Sequence, residues 1–319
     1  MIRNPVLERE VKTRVRDWKS PLIVSAYVLA LGGVVLLYFS TQTSNLMYGN
    51  VFGPEIGLNA FVLLAYLQLF LVSFLIPAIS SGAISGEIER QTYDLLWCSK
   101  LSARSVVFGK LFASIAYLGL VVFASIPLYA IIFLFGGLEP KAIGLIFLVY
   151  VVTGVTFAAA SILFSTITRK TTIATVLSYC LVVLLMLGTL VAGSIKTYRA
   201  LRQPGDPANP WYVPPKVIYL NPVVALNSAL PGAEVGRYSV MPLFNMQVRP
   251  VLVYHSSGSA PPPPEPKIAP AWQYFAGAYA GGSVVCLLIA VALADPTSRM
   301  RRKRRRVQRM NAGESDAGR

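Results

Sequence analysis

Six stretches of apolar residues, at 21–40, 58–79, 111–135, 143–167, 173–195 and 272–294, contain no Asp, Glu, Lys, Arg or His. Each is close to the roughly twenty residues that a helix needs to cross about 30 Å of hydrocarbon. In lipid every backbone N–H and C=O must be satisfied by the chain itself, and a helix does this without neighbours. The sequence therefore predicts an all-α integral membrane protein with six transmembrane helices. Composition points the same way, since 55% of the residues are hydrophobic and 13% charged, far from an ordinary soluble domain. No cleaved signal peptide is expected, because residues 1–20 are highly charged and the first run is long enough to span and lacks a cleavage site.

A net charge of +15 suggests nucleic acid in a soluble protein, but here most of it flanks the apolar runs, where it orients a chain in a bilayer. Lys plus Arg number six in residues 1–20, four in 80–110, two in 168–172 and nine in 295–319, all on one side of a six-span chain. The short loops of the other side, 41–57 and 136–142, hold only Lys141. Positive-inside bias puts both termini in the cytoplasm. The chain then divides into a cytoplasmic segment at 1–20, five spans over 21–195, an outside loop at 196–271, a sixth span at 272–294 and a basic cytoplasmic tail at 295–319.

The segment at 80–110, SSGAISGEIERQTYDLLWCSKLSARSVVFGK, is the place where such a protein can be handled from water. Within it, residues 86–97 read as one short amphipathic helix, because Ile88, Thr92, Leu95 and Leu96 fall at i, i+4, i+7 and i+8. Glu87, Arg90, Gln91 and Asp94 take the other side. The pattern fits a juxtamembrane loop that is helical as well as a docking element. Residues 4–19 are a second basic amphipathic segment, with Leu7, Val11, Val15 and Trp18 opposite Arg9, Lys12, Arg16 and Lys19. Either an interfacial helix or a plain charged flank accounts for it.

The loop at 196–271 is punctuated by Pro204, Pro207, Pro210, Pro214 and Pro215, and carries a polyproline-like spacer at Pro261–Pro264. Between them, residues 219–226 read as a short helix with Asn221 as N-cap and Pro222 in the first turn. Trp211, Tyr212, Tyr219, Tyr238, Phe244 and Tyr254 supply aromatic surface for an outside subdomain or a headgroup-level belt. The tail at 299–309, RMRRKRRRVQR, is suited to anionic lipid.

Several chemistries are missing. Gly109-Lys110 is followed by Leu111, and the first glycine of a P-loop is absent, so no ATP site of that kind is present. The lone histidine, His255, lies in the outside loop. Ion-coupled transporters keep ionisable groups within the bilayer, and these six runs have none. Neither a metal site nor a catalytic group is expected, and Cys98, Cys180 and Cys286 imply no disulfide framework. Ser73, Ser114, Ser125, Thr153 and Thr156 are expected to bond backbone carbonyls or to cross between helices. Gly154 with Ala158, and Gly277 with Gly281, are spaced for close helix approach. Pro77 and Pro127 fall inside the second and third runs, where they can kink a helix.

Three stretches together resemble the permease subunits of ABC-2 type ABC transporters: NPVLEREVKTRVRDW at 4–18, GAISGEIERQTYDLLWCSKLSARSVVFGKL at 82–111, and YLNPVVAL at 219–226. The resemblance implies that the segment after the second span is a coupling helix docking on a separate ATP-binding subunit. Glu87, Glu89 and Arg90 then make polar contacts with that subunit, Thr92, Leu95 and Leu96 form the docking and packing side, and Gly86 belongs to the same coupling set. An interfacial helix beside it uses Leu7, Val11, Arg14, Arg16 and Trp18. The resemblance further implies no cofactor in this chain, ATP and Mg²⁺ in the partner, a second permease copy or paralogue, and contact with membrane lipids. It also implies export from a prokaryotic cell membrane, of substrates that range across lipids, glycans, peptides and drugs, while the apolar spans favour an amphipathic or hydrophobic one. A non-transporting scaffold that anchors a partner through the outside loop is the alternative.

Overall fold

A computed structural model of the chain describes residues 18–46, 54–93, 102–134, 140–202, 211–212, 215–230, 251–252 and 270–294. Among them the chain is nearly all helical. The helices are α1 (Lys19–Leu46), α2 (Pro54–Ser80), the short α3 (Ser85–Glu89), α4 (Ala103–Phe133), α5 (Pro140–Thr168), α6 (Thr171–Val183), α7 (Thr189–Arg202), α8 (Pro222–Ala229) and α9 (Ala271–Ala294). A π turn, Leu184–Gly188, joins α6 to α7, and a 3-10 turn, Lys216–Leu220, leads into α8. Strands β1 (Trp211–Tyr212) and β2 (Val251–Leu252) pair antiparallel. Six helical stretches are long and apolar enough to span a bilayer.

The bundle is apolar on its outside as well as in its core, with hydroxyl and amide side chains set into that core. Gln68, Ser73, Ser125, Thr153, Ser161 and Ser178 are buried, while Leu29, Leu36, Phe123, Val176, Leu184 and Leu288 are exposed. That surface suits hydrocarbon, and it makes this a multi-pass membrane protein. α5 is central, touching α2, α4, α6, α8 and α9. Its Tyr150 hydroxyl donates to Ala65 O (2.9 Å) and meets the Tyr129 hydroxyl (3.0 Å). Beside them Gln68 donates to Ser125 Oγ (3.0 Å).

Helix ends depart from the apolar runs where polar residues extend the backbone pattern. α4 begins at Ala103, eight residues before its apolar run, because Ser102 caps it by accepting from Ser105 N–H (3.2 Å). α1 continues to Leu46, its Ser40 and Thr41 hydroxyls bonded back to Leu37 O and Tyr38 O. The hydroxyls inside the spans behave as anticipated. Ser73 bonds Leu69 O, Ser114 bonds Lys110 O, Ser125 bonds Val122 O, Thr153 bonds Val149 O, and Thr156 bonds both Val152 O and Tyr279 O. Pro77 and Pro127 lie inside α2 and α4. Within the turn that Pro77 interrupts, Phe74 O accepts from the Tyr179 hydroxyl (3.2 Å).

The two small-residue pairs differ. Gly154 and Ala158 sit in the α5 interface, and a Cβ on Gly154 would lie 2.4 Å from Leu118 Cδ2 of α4. At Gly277 and Gly281 an added Cβ meets nothing within 4 Å, so these glycines serve no close approach within the described chain. Gly154→Leu is expected to destabilise the chain by about 2 kcal/mol through overpacking, whereas Gly281→Ala changes it little. Thermal unfolding of the two purified variants checks the contrast, and equal effects would contradict it.

The helix read at 219–226 forms, beginning at Pro222, with Asn221 as its cap. Asn221 Oδ1 accepts from Val223 N–H (2.7 Å) and Val224 N–H (3.4 Å). Its amide also reaches the π turn, where Nδ2 lies within hydrogen-bond distance of Leu185 O, Met186 O and Thr189 Oγ1. A π turn loosens the regular backbone ladder, and this fully buried amide restores partners to it. α8 holds α9 as well, since Ser228 Oγ accepts from Trp272 N–H (3.0 Å) and the Tyr279 hydroxyl donates to Leu220 O (3.0 Å). Asn221→Ala is expected to cost about 3 kcal/mol, from the lost cap and carbonyls left unsatisfied. Asn221→Asp keeps the cap oxygen but sets a carboxylate against those carbonyls, so it should be no better. An Asp variant that unfolds at the wild-type temperature would show that the amide bonds do not matter.

Candidate functional site

After α2 the chain passes through a hydrogen-bonded turn at 81–84, with Ser81 N–H bonded to Pro77 O (2.9 Å) and Ala83 N–H to Ser80 O (3.1 Å), and enters α3. α3 stops at Glu89, so the helix expected over residues 86–97 is interrupted at 90–92; Tyr93 is helical again, and 94–97 lie outside the described residues. Gln91 adopts a left-handed conformation (φ 58°), with Gln91 N–H bonded to Ile88 O (3.1 Å) and Thr92 N–H to Glu87 O (3.0 Å). This pair of bonds is a Schellman termination. A glycine usually takes the left-handed position, and the Gln there hid the stop from the periodicity. Arg90, Gln91 and Thr92 are exposed beyond the stop, and the Tyr93 hydroxyl donates to Ala294 O at the end of α9 (3.2 Å). Asp94, Leu95, Leu96 and Cys98 lie outside the described residues.

The two glutamates of α3 are held within the chain. Lys110 Nζ donates to Glu87 Oε1 at 2.7 Å, with the Lys110 side chain 3% exposed and that of Glu87 23%. Lys110 belongs to α4, so this ion pair ties the start of α3 to the next span. Glu89 is exposed and reaches the elbow between α5 and α6: its Oε1 accepts from Thr171 N–H and its Oε2 from the Thr171 hydroxyl, both at 2.7 Å. Thr171 is the first residue of α6, preceded by Lys170, whose side chain cannot accept a hydrogen bond. A carboxylate at this point satisfies an orphan N–H and faces the positive end of the helix dipole.

Behind these charges lies a buried set of hydroxyls. Ser165 Oγ accepts from Ile84 N–H (3.0 Å) and Ser85 N–H (2.8 Å) and donates to Ser85 Oγ (3.0 Å). Ser81 Oγ meets Thr175 Oγ1 at 2.8 Å, and Ser85 Oγ donates to Thr171 Oγ1 at 3.3 Å. An added Cβ on Gly82 would be 3.4 Å from Thr171 Cγ2, and one on Gly86 4.0 Å from Thr171 Oγ1. The elbow itself turns at Arg169 (φ 57°).

Of the residues anticipated from sequence, Gly86, Glu87, Glu89, Arg90 and Thr92 are thus gathered on and just after α3. Trp18, at the start of α1, is exposed, and Leu7, Val11, Arg14 and Arg16 lie outside the described residues. Sequence reasoning missed Lys110, Ser165, Thr171 and Thr175. The run SerThrIleThrArgLysThrThr at 165–172 was a visible signal, being dense in hydroxyls between two spans, but only its two cations were put to use.

Among the described residues the arrangement is a charged platform joined by hydrogen bonds to α4, α5, α6 and α9. Comparison with curated proteins gives no match. The family described as ABC-2 family transporter protein matches residues 5–294. That match takes in every described span and the platform, and the chain belongs to the ABC-2 transporter family as the membrane-spanning permease subunit of an ABC transporter.

Proposed function

We propose that the chain is the permease half of an ATP-driven exporter in a cell membrane, and that a separate ATP-binding subunit docks on the surface beyond α3. One observation supports this most. The Schellman stop turns Arg90, Gln91 and Thr92 outward, while α3 itself is bonded to α4 by Glu87, to α5 by Ser85 and to α6 by Glu89. A partner seated on the exposed residues has a stiff handle on the bundle. Leu95 and Leu96, next in sequence, are the apolar anchors of that contact.

The positive-inside pattern supports a cytoplasmic position for this platform and for both termini. ATP and Mg²⁺ belong to the docked subunit. A second permease copy, or a paralogue, completes the path between the two halves. The spans of this chain are apolar with hydroxyl and amide groups turned inward, which favours an amphipathic or hydrophobic cargo. The test is co-purification. A subunit bearing a P-loop, recovered with the chain from its native membrane in mild detergent, supports the reading, and an intact chain recovered without one opposes it.

A further inference from the structure

α3 is covalently continuous with α2 and, through residues 90–102, with α4. Nothing in the chain's connectivity links it to α6, which lies 82 residues further on. The structure nevertheless joins them at Thr171, where both oxygens of Glu89 bond one residue. We infer that Glu89 is a positioning residue that makes the α5–α6 elbow move with α3, so that a push on the platform reaches α6 directly. The inference rests on the docking reading above.

Three features select Glu89 for this role. It is the last residue of α3, so it sits next to the exposed residues where the partner would press, while Ser81, Ser85 and Ser165 lie buried behind it. It supplies the cap that α6 lacks from its own sequence, Lys170 being unable to accept a bond. The first turn of α6 is therefore organised by α3, and α6 continues through the π turn Leu184–Gly188 into α7. A displacement at Thr171 is thus applied to one end of a helix whose other end is held by Asn221. The Ser165 and Thr175 bonds keep the two elements in register when the elbow moves.

The test uses the full complex of permease and co-purifying ATP-binding subunit, reconstituted in liposomes, with ATP hydrolysis and subunit recovery both measured. Glu89→Ala is expected to retain the ATP-binding subunit at the wild-type ratio yet to lower permease-dependent hydrolysis by about fivefold or more. Glu89→Gln, whose amide oxygen can still accept from Thr171 N–H and whose amide N–H can donate to its hydroxyl, should stay within about twofold of wild type. In a background with Cys98→Ser, Cys180→Ser and Cys286→Ser, an unbridged pair Glu89→Cys and Thr171→Cys should be as slow as Glu89→Ala, and bridging it with a short thiosulfonate linker should raise hydrolysis by about fivefold or more, no gain on bridging overturning the inference. Loss of hydrolysis on bridging would mean that the two elements must part during the cycle, and would overturn the inference. Wild-type hydrolysis in Glu89→Ala would overturn it too, as would loss of the subunit from that variant, which would make Glu89 a docking contact. Failure of the wild-type chain to recover any ATP-binding subunit refutes instead the reading on which the inference stands.

Discussion

Glu87→Gln is expected to lower the stability of the chain by about 3 kcal/mol, because it leaves the buried Lys110 ammonium without its carboxylate. Lys110 is 3% exposed, so water cannot replace the lost partner. Among the described residues Glu87 Oε2 has no partner of its own, and the energetics of the pair therefore concentrate in the Oε1 contact. The cost falls at the low end for breaking a buried pair because the Glu87 side chain is 23% exposed. Adding Lys110→Met removes the buried charge itself, and the double variant Glu87→Gln/Lys110→Met should recover part of the loss. Thermal unfolding of the three purified chains in one detergent reads the result. A single variant as stable as wild type, or a double variant no better than the single, would show that the pair is not the structural tie described above. The effect bears on function, because a charge reversal at Glu87 disturbs the fold before it can report on docking.

Arg90→Glu combined with Leu95→Asp is expected to weaken the ATP-binding subunit's hold on the order of a thousandfold. An arginine and a buried aliphatic anchor at an interface are each worth about 2 kcal/mol or more when lost, and about 4 kcal/mol is close to three decades in affinity. Arg90 is exposed past the end of α3, so its reversal should not disturb the chain on its own. Titration of the detergent-purified permease with its ATP-binding subunit measures the loss. Unchanged affinity would remove the surface beyond α3 from the account.

Most of the architecture could be read from residues alone. Spans free of charge admit one backbone solution in lipid, and Asn221-Pro222 announced its helix because side chain and ring act on the first turn that follows them. What escaped was either a local exception or a long-range pairing. Gln91 in a left-handed conformation is a termination that composition does not advertise. Lys110 looked like a flank because hydropathy marks the apolar part of a helix, while the cap at Ser102 sets where α4 begins. Glu89 with Thr171, and Ile84 and Ser85 with Ser165, join residues eighty or more apart in the chain. No periodicity encodes such a meeting; it follows from how α2, α5 and α6 pack.

On the proposed reading, a separate ATP-binding subunit drives this permease through the surface beyond α3. The most direct test is a mild-detergent pull-down of the tagged chain from its native membrane, identified by mass spectrometry and run beside Arg90→Glu/Leu95→Asp. A P-loop subunit is expected with the wild-type chain and lost from the double variant while the permease remains intact. Equal recovery of that subunit with both chains, or an intact wild-type chain that brings none, would contradict this reading.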